Sequence, residues 1–180
     1  MKIVVDHIQE KPIPIHFEAP AGSFPVLSRM QSEGECIFTG PVLGDITAAR
    51  EFDHLRVSGR VDTQVTLVCS RCIATYEAGI ASTFTIIYRK GTTQEVDQEE
   101  ETELSNQDLI SATYSSNEID LTHEIEEQVA MEIPLKPLCN EDCKGLCPVC
   151  GIDLNHATCN CSNEQTSFKF SALKNFKVSG

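Results

Sequence analysis

Residues 54–72 read HLRVSGRVDTQVTLVCSRC and contain the clearest structural signal in the chain. One face of the stretch carries Leu55, Val57, Val61, Val65 and Leu67, and the other carries Arg56, Ser58, Arg60, Asp62, Gln64 and Thr66. This period of two predicts a strand over residues 54–68 that buries one face in an antiparallel sheet. The strand runs directly into Cys69-Ser70-Arg71-Cys72, which we therefore expect at the turn to a returning strand over residues 79–89.

The sequence on either side predicts further strands. Residues 34–50 are strand-like but contain Gly40-Pro41 and Gly44-Asp45, which are typical of chain breaks, so we expect a strand interrupted at both places. Pro12 and Pro14 restrict residues 1–20 to an edge strand or an extended arm, because proline cannot donate a hydrogen bond inside a sheet. Residues 108–114 are a candidate for another short strand.

Residues 121–132 have the pattern of a helix. Leu121, Ile125 and Val129 recur every four residues, which places them on one face. We expect Glu124, Glu126, Glu127 and Gln128 on the outer face. Asp120 or Thr122 can cap the first turn, and Pro134 ends the helix.

Together these elements predict an α+β protein with a mostly antiparallel sheet, one or two helices and a small C-terminal zinc-binding module. We divide the chain into an acidic, β-rich domain over residues 1–135, a cysteine-rich zinc module over residues 136–164, and a basic amphipathic tail over residues 165–180. The polar, acidic stretch 92–107 is expected to be a solvated loop.

The charge of the chain is distributed unevenly. The formal net charge is −13, with 9 basic and 23 acidic residues in positions 1–135, and 5 basic and 4 acidic residues in positions 136–180. An acidic surface repels bare nucleic acid, so direct RNA contact is expected only from the C-terminal part. No apolar run reaches the ~20 residues of a membrane helix, and the N-terminus lacks the pattern of a signal peptide, so we expect a cytoplasmic protein with no membrane partner.

The chain contains nine cysteines, and six of them fall between residues 139 and 161. Such clustering in a reducing compartment indicates a metal site rather than disulfides, and zinc is the metal that thiolates in Cys-x-x-Cys turns favour. The leading ligand set is Cys147, Cys150, Cys159 and Cys161. Cys36 is expected to be an ordinary buried residue.

The place of Cys139 and Cys143 is left open by the sequence. Cys143 could replace one ligand of the leading set. Cys139 and Cys143 could instead join Cys69 and Cys72, which are secondary candidates, in a second site. A third arrangement brings in His156 as a nitrogen ligand.

An iron–sulfur or redox enzyme is the alternative interpretation of these cysteines. Cys143-x-x-x-Cys147-x-x-Cys150 has the spacing of radical enzymes that bind a four-iron cluster, although those motifs stand near the start of a large barrel domain. The sequence contains no phosphate-binding glycine loop, no nucleophile elbow and no paired histidines on a helix. We therefore expect a structural metal site and neither a catalytic residue nor a small-molecule substrate.

The C-terminal motif resembles that of the YceD-like family. It runs Leu138-Cys139-x-x-x-Cys143-Lys-Gly-Leu-Cys147-Pro-x-Cys150-Gly-x-Asp-Leu-Asn155, followed by Cys159-x-Cys161. Val68-Cys69-x-Arg71-Cys72 at a strand end, the acidic middle, the Glu-rich helix before Ile133-Pro-Leu-x-Pro137 and the tail Phe168-x-x-x-x-Leu173-Lys174 are also similar to the family pattern.

The resemblance implies a role in accumulation of large-subunit ribosomal RNA and no known reaction. We therefore expect a non-enzymatic factor in ribosome assembly that binds either ribosomal RNA or a basic ribosomal protein. For RNA contact the candidates are Arg71, Lys136, Lys144, Lys169, Lys174 and Lys177. The charge imbalance favours a protein partner for residues 1–135.

Overall fold

The computed structural model describes residues 1–91 and 111–161, which form an α+β fold with mostly antiparallel strands. The strands are β1 (Lys2–Val4), β2 (Ile13–Ala19), β3 (Ile37–Phe38), β4 (Val42–Glu51), β5 (His54–Val68), β6 (Thr75–Lys90), β7 (Ser111–Tyr114) and β8 (Glu118–Asp120). The α-helices within these residues are α1 (Pro25–Ser32) and α2 (Thr122–Glu132). The predicted fold class is confirmed in these respects.

The main sheet has the strand order β2-β4-β5-β6-β7, and β3 pairs with β5 beyond the end of β4. The pairs are antiparallel except β6 with β7, which is parallel. Strands β1 and β8 form a separate two-stranded sheet. The core lies on one face of the main sheet, where Ile125 and Val129 of α2 pack against the buried side chains of β5, and Leu27 of α1 joins the same core beside α2.

Strand β5 has the predicted bounds and the predicted buried face. The five apolar side chains of that face are each at most 1% exposed: Leu55, Val57, Val61, Val65 and Leu67. It pairs with β6 from His54 opposite Arg89 to Val68 opposite Thr75, so the returning strand is longer than predicted. Because this ladder continues to its last residues, the turn at Cys69–Cys72 is held rigidly at one end of the sheet.

The prediction for residues 34–50 is half right. Gly40-Pro41 does separate β3 from β4, but Gly44-Asp45 lies inside β4. Gly44 stands opposite Phe17 of β2, and a Cβ atom at Gly44 would overlap the Phe17 ring. The glycine therefore makes room for an aromatic ring on the neighbouring strand, which is a known role of glycine inside strands.

The two edges of the fold agree with the predictions that fall on described residues. Strand β2, which contains Pro14, is an edge strand of the main sheet. Strand β7 occupies the described part of the stretch 108–114.

Helix α2 ends at Glu132, two residues before Pro134, and the Asp120 carboxylate accepts the N–H of Thr122 at its start. The acidic stretch 92–107 and the tail 165–180 lie outside the described residues.

The outer-face expectation for α2 holds only for Glu127, because Glu126 is buried and Glu124 and Gln128 are half-buried against Tyr88 and Ser82 of β6. Glu126 is 5% exposed, and its carboxylate accepts the N–H of Val26 in the first turn of α1 at 2.8 Å. The other carboxylate oxygen lies 3.3 Å from the His123 ring nitrogen. Glu126 thus provides an acceptor for the first turn of α1, whose N-cap residue has no side-chain hydrogen bond. Helix α1 is not among the elements predicted from the sequence.

Candidate metal centres

The structure brings eight of the nine cysteines together in two sets of four, and in each set the sulfur atoms all lie within 4.8 Å of one another. The first cysteine group consists of Cys69, Cys72, Cys139 and Cys143. The second cysteine group consists of Cys147, Cys150, Cys159 and Cys161. Cys36 is 3% exposed within the hydrophobic core, as expected.

The first cysteine group joins two distant parts of the chain. Cys69 and Cys72 lie in the turn between β5 and β6, whereas Cys139 and Cys143 follow α2. The Cys69 and Cys143 sulfurs are 3.8 Å apart, and the Cys72 and Cys139 sulfurs are 3.6 Å apart. Tyr76, Leu138 and Leu146 pack around the buried members of the group.

These separations match four sulfurs that surround one ion. A tetrahedral zinc site with Zn–S bonds of ~2.3 Å places neighbouring sulfurs ~3.8 Å apart. A disulfide would instead bring two sulfurs to ~2.05 Å, and all nine cysteines are free. Thiolates that each bind a different iron of a cluster would also stand farther apart than thiolates that share a single ion. The geometry therefore fits one metal ion per group.

The second cysteine group is more open than the first. Cys147 is buried, whereas Cys150 and Cys161 are exposed. In the first group, Cys69, Cys72 and Cys143 are buried and Cys139 is exposed. His156 belongs to neither group and its side chain is 84% exposed. Of the three arrangements that the sequence left open, the geometry corresponds to the one with two separate groups.

The two Cys-x-x-Cys turns have the same backbone hydrogen bonds. In the turn of residues 69–74, the Cys69 N–H donates to the Ala74 carbonyl, and the Ile73 N–H donates to the Cys69 carbonyl. In the turn of residues 147–152, the Cys147 N–H donates to the Ile152 carbonyl, and the Gly151 N–H donates to the Cys147 carbonyl. The flanking residues pair in the same way, Val68 with Thr75 and Leu146 with Asp153. The second turn thus repeats the first without the long strands.

Backbone N–H groups in these turns favour a negative charge on the first sulfur of each pair. Hydrogen bonds led by the backbone N–H of Cys72 lower the pKa of the Cys69 thiol to about 6. In the second turn, hydrogen bonds led by the backbone N–H of Cys150 lower the pKa of the Cys147 thiol to about 6.

The sulfurs around them resist ionisation when no cation is present. The hydrogen bond with Cys72 raises the pKa of Cys139 to about 12, and that with Cys150 raises the pKa of Cys161 to about 12. Several thiolates this close repel one another, and a divalent cation among them would remove that repulsion. The donor set therefore suits a soft, doubly charged metal ion.

Two further residues, Arg71 and Asn155, fix the first group in roles that were not predicted from the sequence. The Arg71 guanidinium donates to the carbonyl oxygens of Cys143 at 2.8 Å and Glu141 at 3.3 Å. The Asn155 amide donates to the Cys143 sulfur at 3.4 Å. Both residues belong to the motifs quoted from the sequence. Their position beside the cysteines was therefore the sequence feature that could have indicated these roles.

Comparison with known proteins identifies relatives by name. A family model described as large ribosomal RNA subunit accumulation protein YceD matches residues 57–177. Two chloroplastic proteins called large ribosomal RNA subunit accumulation protein YCED homolog 1 are similar to the chain. The one from Arabidopsis thaliana is 28% identical over 76% of this chain and 49% of its own length, and the one from Zea mays is 29% identical over 67% and 48%.

An uncharacterized protein of Mycobacterium tuberculosis is 31% identical over 61% of this chain and 50% of its own length. The chain thus spans about half the length of the curated relatives it matches. No solved structure is a significant match. Among the described residues, no helix is long and apolar enough to cross a membrane.

The backbone conformations of the two Cys-x-x-Cys turns predict opposite changes in stability, a gain for Ile73→Gly and a loss for Gly151→Ala. Ile73 has a φ of +62°, in the left-handed region that costs a β-branched residue ~1–2 kcal/mol, while Gly151 has a φ of +73° in the equivalent place. Ile73→Gly should raise the free energy of unfolding by up to about 1 kcal/mol, after the higher entropy of the unfolded glycine chain is subtracted. Gly151→Ala should lower it by about 1 kcal/mol, although a Cβ there meets no atom within 4 Å.

Denaturant unfolding at a fixed, saturating metal concentration measures both changes. Ile73 is 66% exposed, so its removal sacrifices little packing. A loss of stability in Ile73→Gly similar to that in Gly151→Ala would show that the left-handed conformation of Ile73 is not strained.

Proposed function

This chain belongs to the YceD family of large ribosomal RNA subunit accumulation proteins, and from that premise we propose that it is a non-enzymatic factor in accumulation of large-subunit ribosomal RNA and in assembly of the large ribosomal subunit. We propose further that each cysteine group holds one structural Zn²⁺ and that the protein acts by binding a basic ribosomal protein. The observation that carries the metal assignment is the convergence of eight sulfurs into two groups of four.

Zinc with four thiolate ligands has no open position for a substrate or water, which supports a structural role. The first group would tie the segment after α2 to the end of the β5–β6 hairpin. The second would shape residues 147–161, which contribute only Cys147 to the buried residues. Metal binding of this kind supplies the folding free energy that so small a segment cannot obtain from apolar burial.

The zinc assignment changes the charge argument for the partner. Residues 136–180 contain one more basic than acidic residue, which makes them the best candidate for RNA contact on sequence alone. Eight thiolates and two Zn²⁺ ions together add four negative charges to the formal net charge of −13. The C-terminal part is then acidic as well, and this balance supports a basic protein partner over direct contact with RNA.

The role of Arg71 points in the same direction. Its guanidinium, a candidate for RNA contact on sequence alone, is engaged by two carbonyl oxygens of the segment it holds. Among the described residues, this leaves Lys136 and Lys144 as RNA candidates on the C-terminal part, beside the acidic Glu141, Asp142 and Asp153.

Metal analysis of the purified chain should find two zinc ions per molecule and no visible absorption. Cys72→Ser and Cys161→Ser should each reduce the content to one, because each removes a ligand from one group only. Cys36→Ala is the matched control, since Cys36 is buried outside both groups and its removal should leave two zinc ions. A brown protein with iron and acid-labile sulfide would support the iron–sulfur alternative and contradict the zinc assignment.

Deletion of the gene should lower the amount of mature large-subunit ribosomal RNA relative to small-subunit RNA, and should reduce large-subunit particles in sucrose gradients. Expression of the wild-type chain or of Cys36→Ala should restore both. Unchanged precursor and mature RNA, with unchanged subunit profiles, would refute the proposed role in ribosome assembly.

Binding measurements should separate the two modes of action. The zinc-loaded full chain is titrated with fragments of large-subunit ribosomal RNA and with individual purified large-subunit ribosomal proteins, at about 50 mM and about 200 mM salt. We expect a complex with one lysine- and arginine-rich ribosomal protein that weakens with salt, and no RNA binding at the lower salt concentration. RNA affinity that falls steeply with salt, without protein binding, would instead establish RNA as the partner.

A further inference from the structure

We infer that Asn155 couples the two cysteine groups, so that metal binding at the first group raises the metal affinity of the second. This inference rests on the proposed occupancy of both groups by zinc. It goes further in assigning a positioning role to a residue that is not a ligand.

Asn155 lies in the loop between Cys150 and Cys159, which joins the two ligand pairs of the second group. Its side chain nevertheless reaches the first group, where the amide Nδ2 donates to the Cys143 sulfur at 3.4 Å. The amide oxygen accepts the backbone N–H of Lys144, next to Cys143, at 2.8 Å. One side chain therefore connects the loop of the second group to a ligand of the first.

Backbone contacts hold the same loop against the connector between the groups. That connector is only three residues long, from Lys144 to Leu146. The Leu154 N–H donates to the Gly145 carbonyl at 2.9 Å, and Leu146 pairs with Asp153. The connector in turn lies on the β5–β6 turn, because the Leu146 N–H donates to the Arg71 carbonyl at 3.0 Å.

Gly145 allows this close approach. Its φ is +73°, and a Cβ atom there would stand 3.0 Å from the Arg71 carbonyl oxygen and 3.1 Å from the Arg71 Cβ. The loop of the second group is thus attached, through the connector, to the rigid end of the main sheet.

This arrangement makes the coupling a consequence of loop entropy. The second group forms only when the loop brings Cys159 and Cys161 back to Cys147 and Cys150, and ordering a free loop is unfavourable. A loop already attached at Asn155 has lost part of that freedom. An N–H donor binds a thiolate more strongly than a neutral thiol, so a metal-bound Cys143 holds Asn155 best. By thermodynamic linkage the second metal must favour the first by the same factor.

The test measures Zn²⁺ affinity at the second group of the full chain by competition with a chelator. Alkylation of free thiols followed by mass spectrometry assigns each occupied group. Asn155→Ala should lower the Zn²⁺ affinity of the second group about 5-fold to 150-fold, the usual range of a coupling between two binding sites. His156→Ala is the matched control, because His156 lies in the same loop, belongs to neither sulfur group and has a side chain that is 84% exposed.

A thermodynamic cycle isolates the coupling from local damage. Cys69→Ser/Cys72→Ser disables the first group and should weaken the second by a similar factor, after which Asn155→Ala should have a much smaller additional effect. Asn155→Asp keeps the acceptor for Lys144 but replaces the N–H donor with a carboxylate that faces the Cys143 sulfur and the Asp153 carboxylate, so it should lower the second-group affinity at least as much as Asn155→Ala does. This variant leaves both ligand sets intact and keeps the test valid if the double serine variant does not fold.

Three results would overturn the inference: an unchanged second-group affinity in Asn155→Ala, a loss confined to the first group, or an undiminished effect of Asn155→Ala in the double serine background. Each of them is observed with two zinc ions bound to the wild-type chain, so the proposed metal centres would stand. A wild-type chain that binds no zinc at all would instead refute the metal assignment itself.

Discussion

The full-length pairing of β5 with β6 is the constraint on which the rest of the arrangement depends. The ladder extends to Val68 opposite Thr75, so the turn that follows has a defined position at the end of the sheet. The first cysteine group needs that definition, because its other two sulfurs come from a segment some seventy residues later in the chain. A frayed hairpin would leave Cys69 and Cys72 without a fixed geometry, and the later segment would have nothing to close upon.

The second turn shows how the same local structure forms with less support. Its hydrogen bonds repeat those of the first, but one bridge between Leu146 and Asp153 replaces the long ladder. Glycine at position 151 accepts the left-handed conformation at little steric cost, whereas the first turn imposes it on Ile73. Unfavourable dihedral angles persist only where the surrounding structure maintains them. The long β5–β6 hairpin can maintain them at Ile73, whereas the second turn, which has less support, avoids them with glycine.

Features that depend on neighbouring residues were predicted from the sequence, and features that depend on distant residues were not. The alternation in β5 is visible because burial of one face acts on every second residue, and the clustering of cysteines is visible because ligands of one ion recur at short spacing. Gly44 was misinterpreted because its cause, the Phe17 ring, lies on another strand. Glu126 was misplaced because its partner, Val26, is one hundred residues away. The choice among the arrangements of Cys139 and Cys143 likewise depends on where the hairpin ends in space.

In the proposed zinc-bound protein, the metal-bound thiolates add to the negative charge of the chain. In the zinc form each group carries two net negative charges, and the donors to the sulfurs include backbone N–H groups of both turns and the amide of Asn155, which are all neutral. These dipoles stabilise the thiolates locally without cancelling their charge at longer range. Since the body of the chain is acidic too, the two groups extend its negative field rather than interrupt it. A single metal-stabilised segment can therefore serve two purposes, namely to fix the shape of the C-terminal part and to make that part attractive to a basic partner.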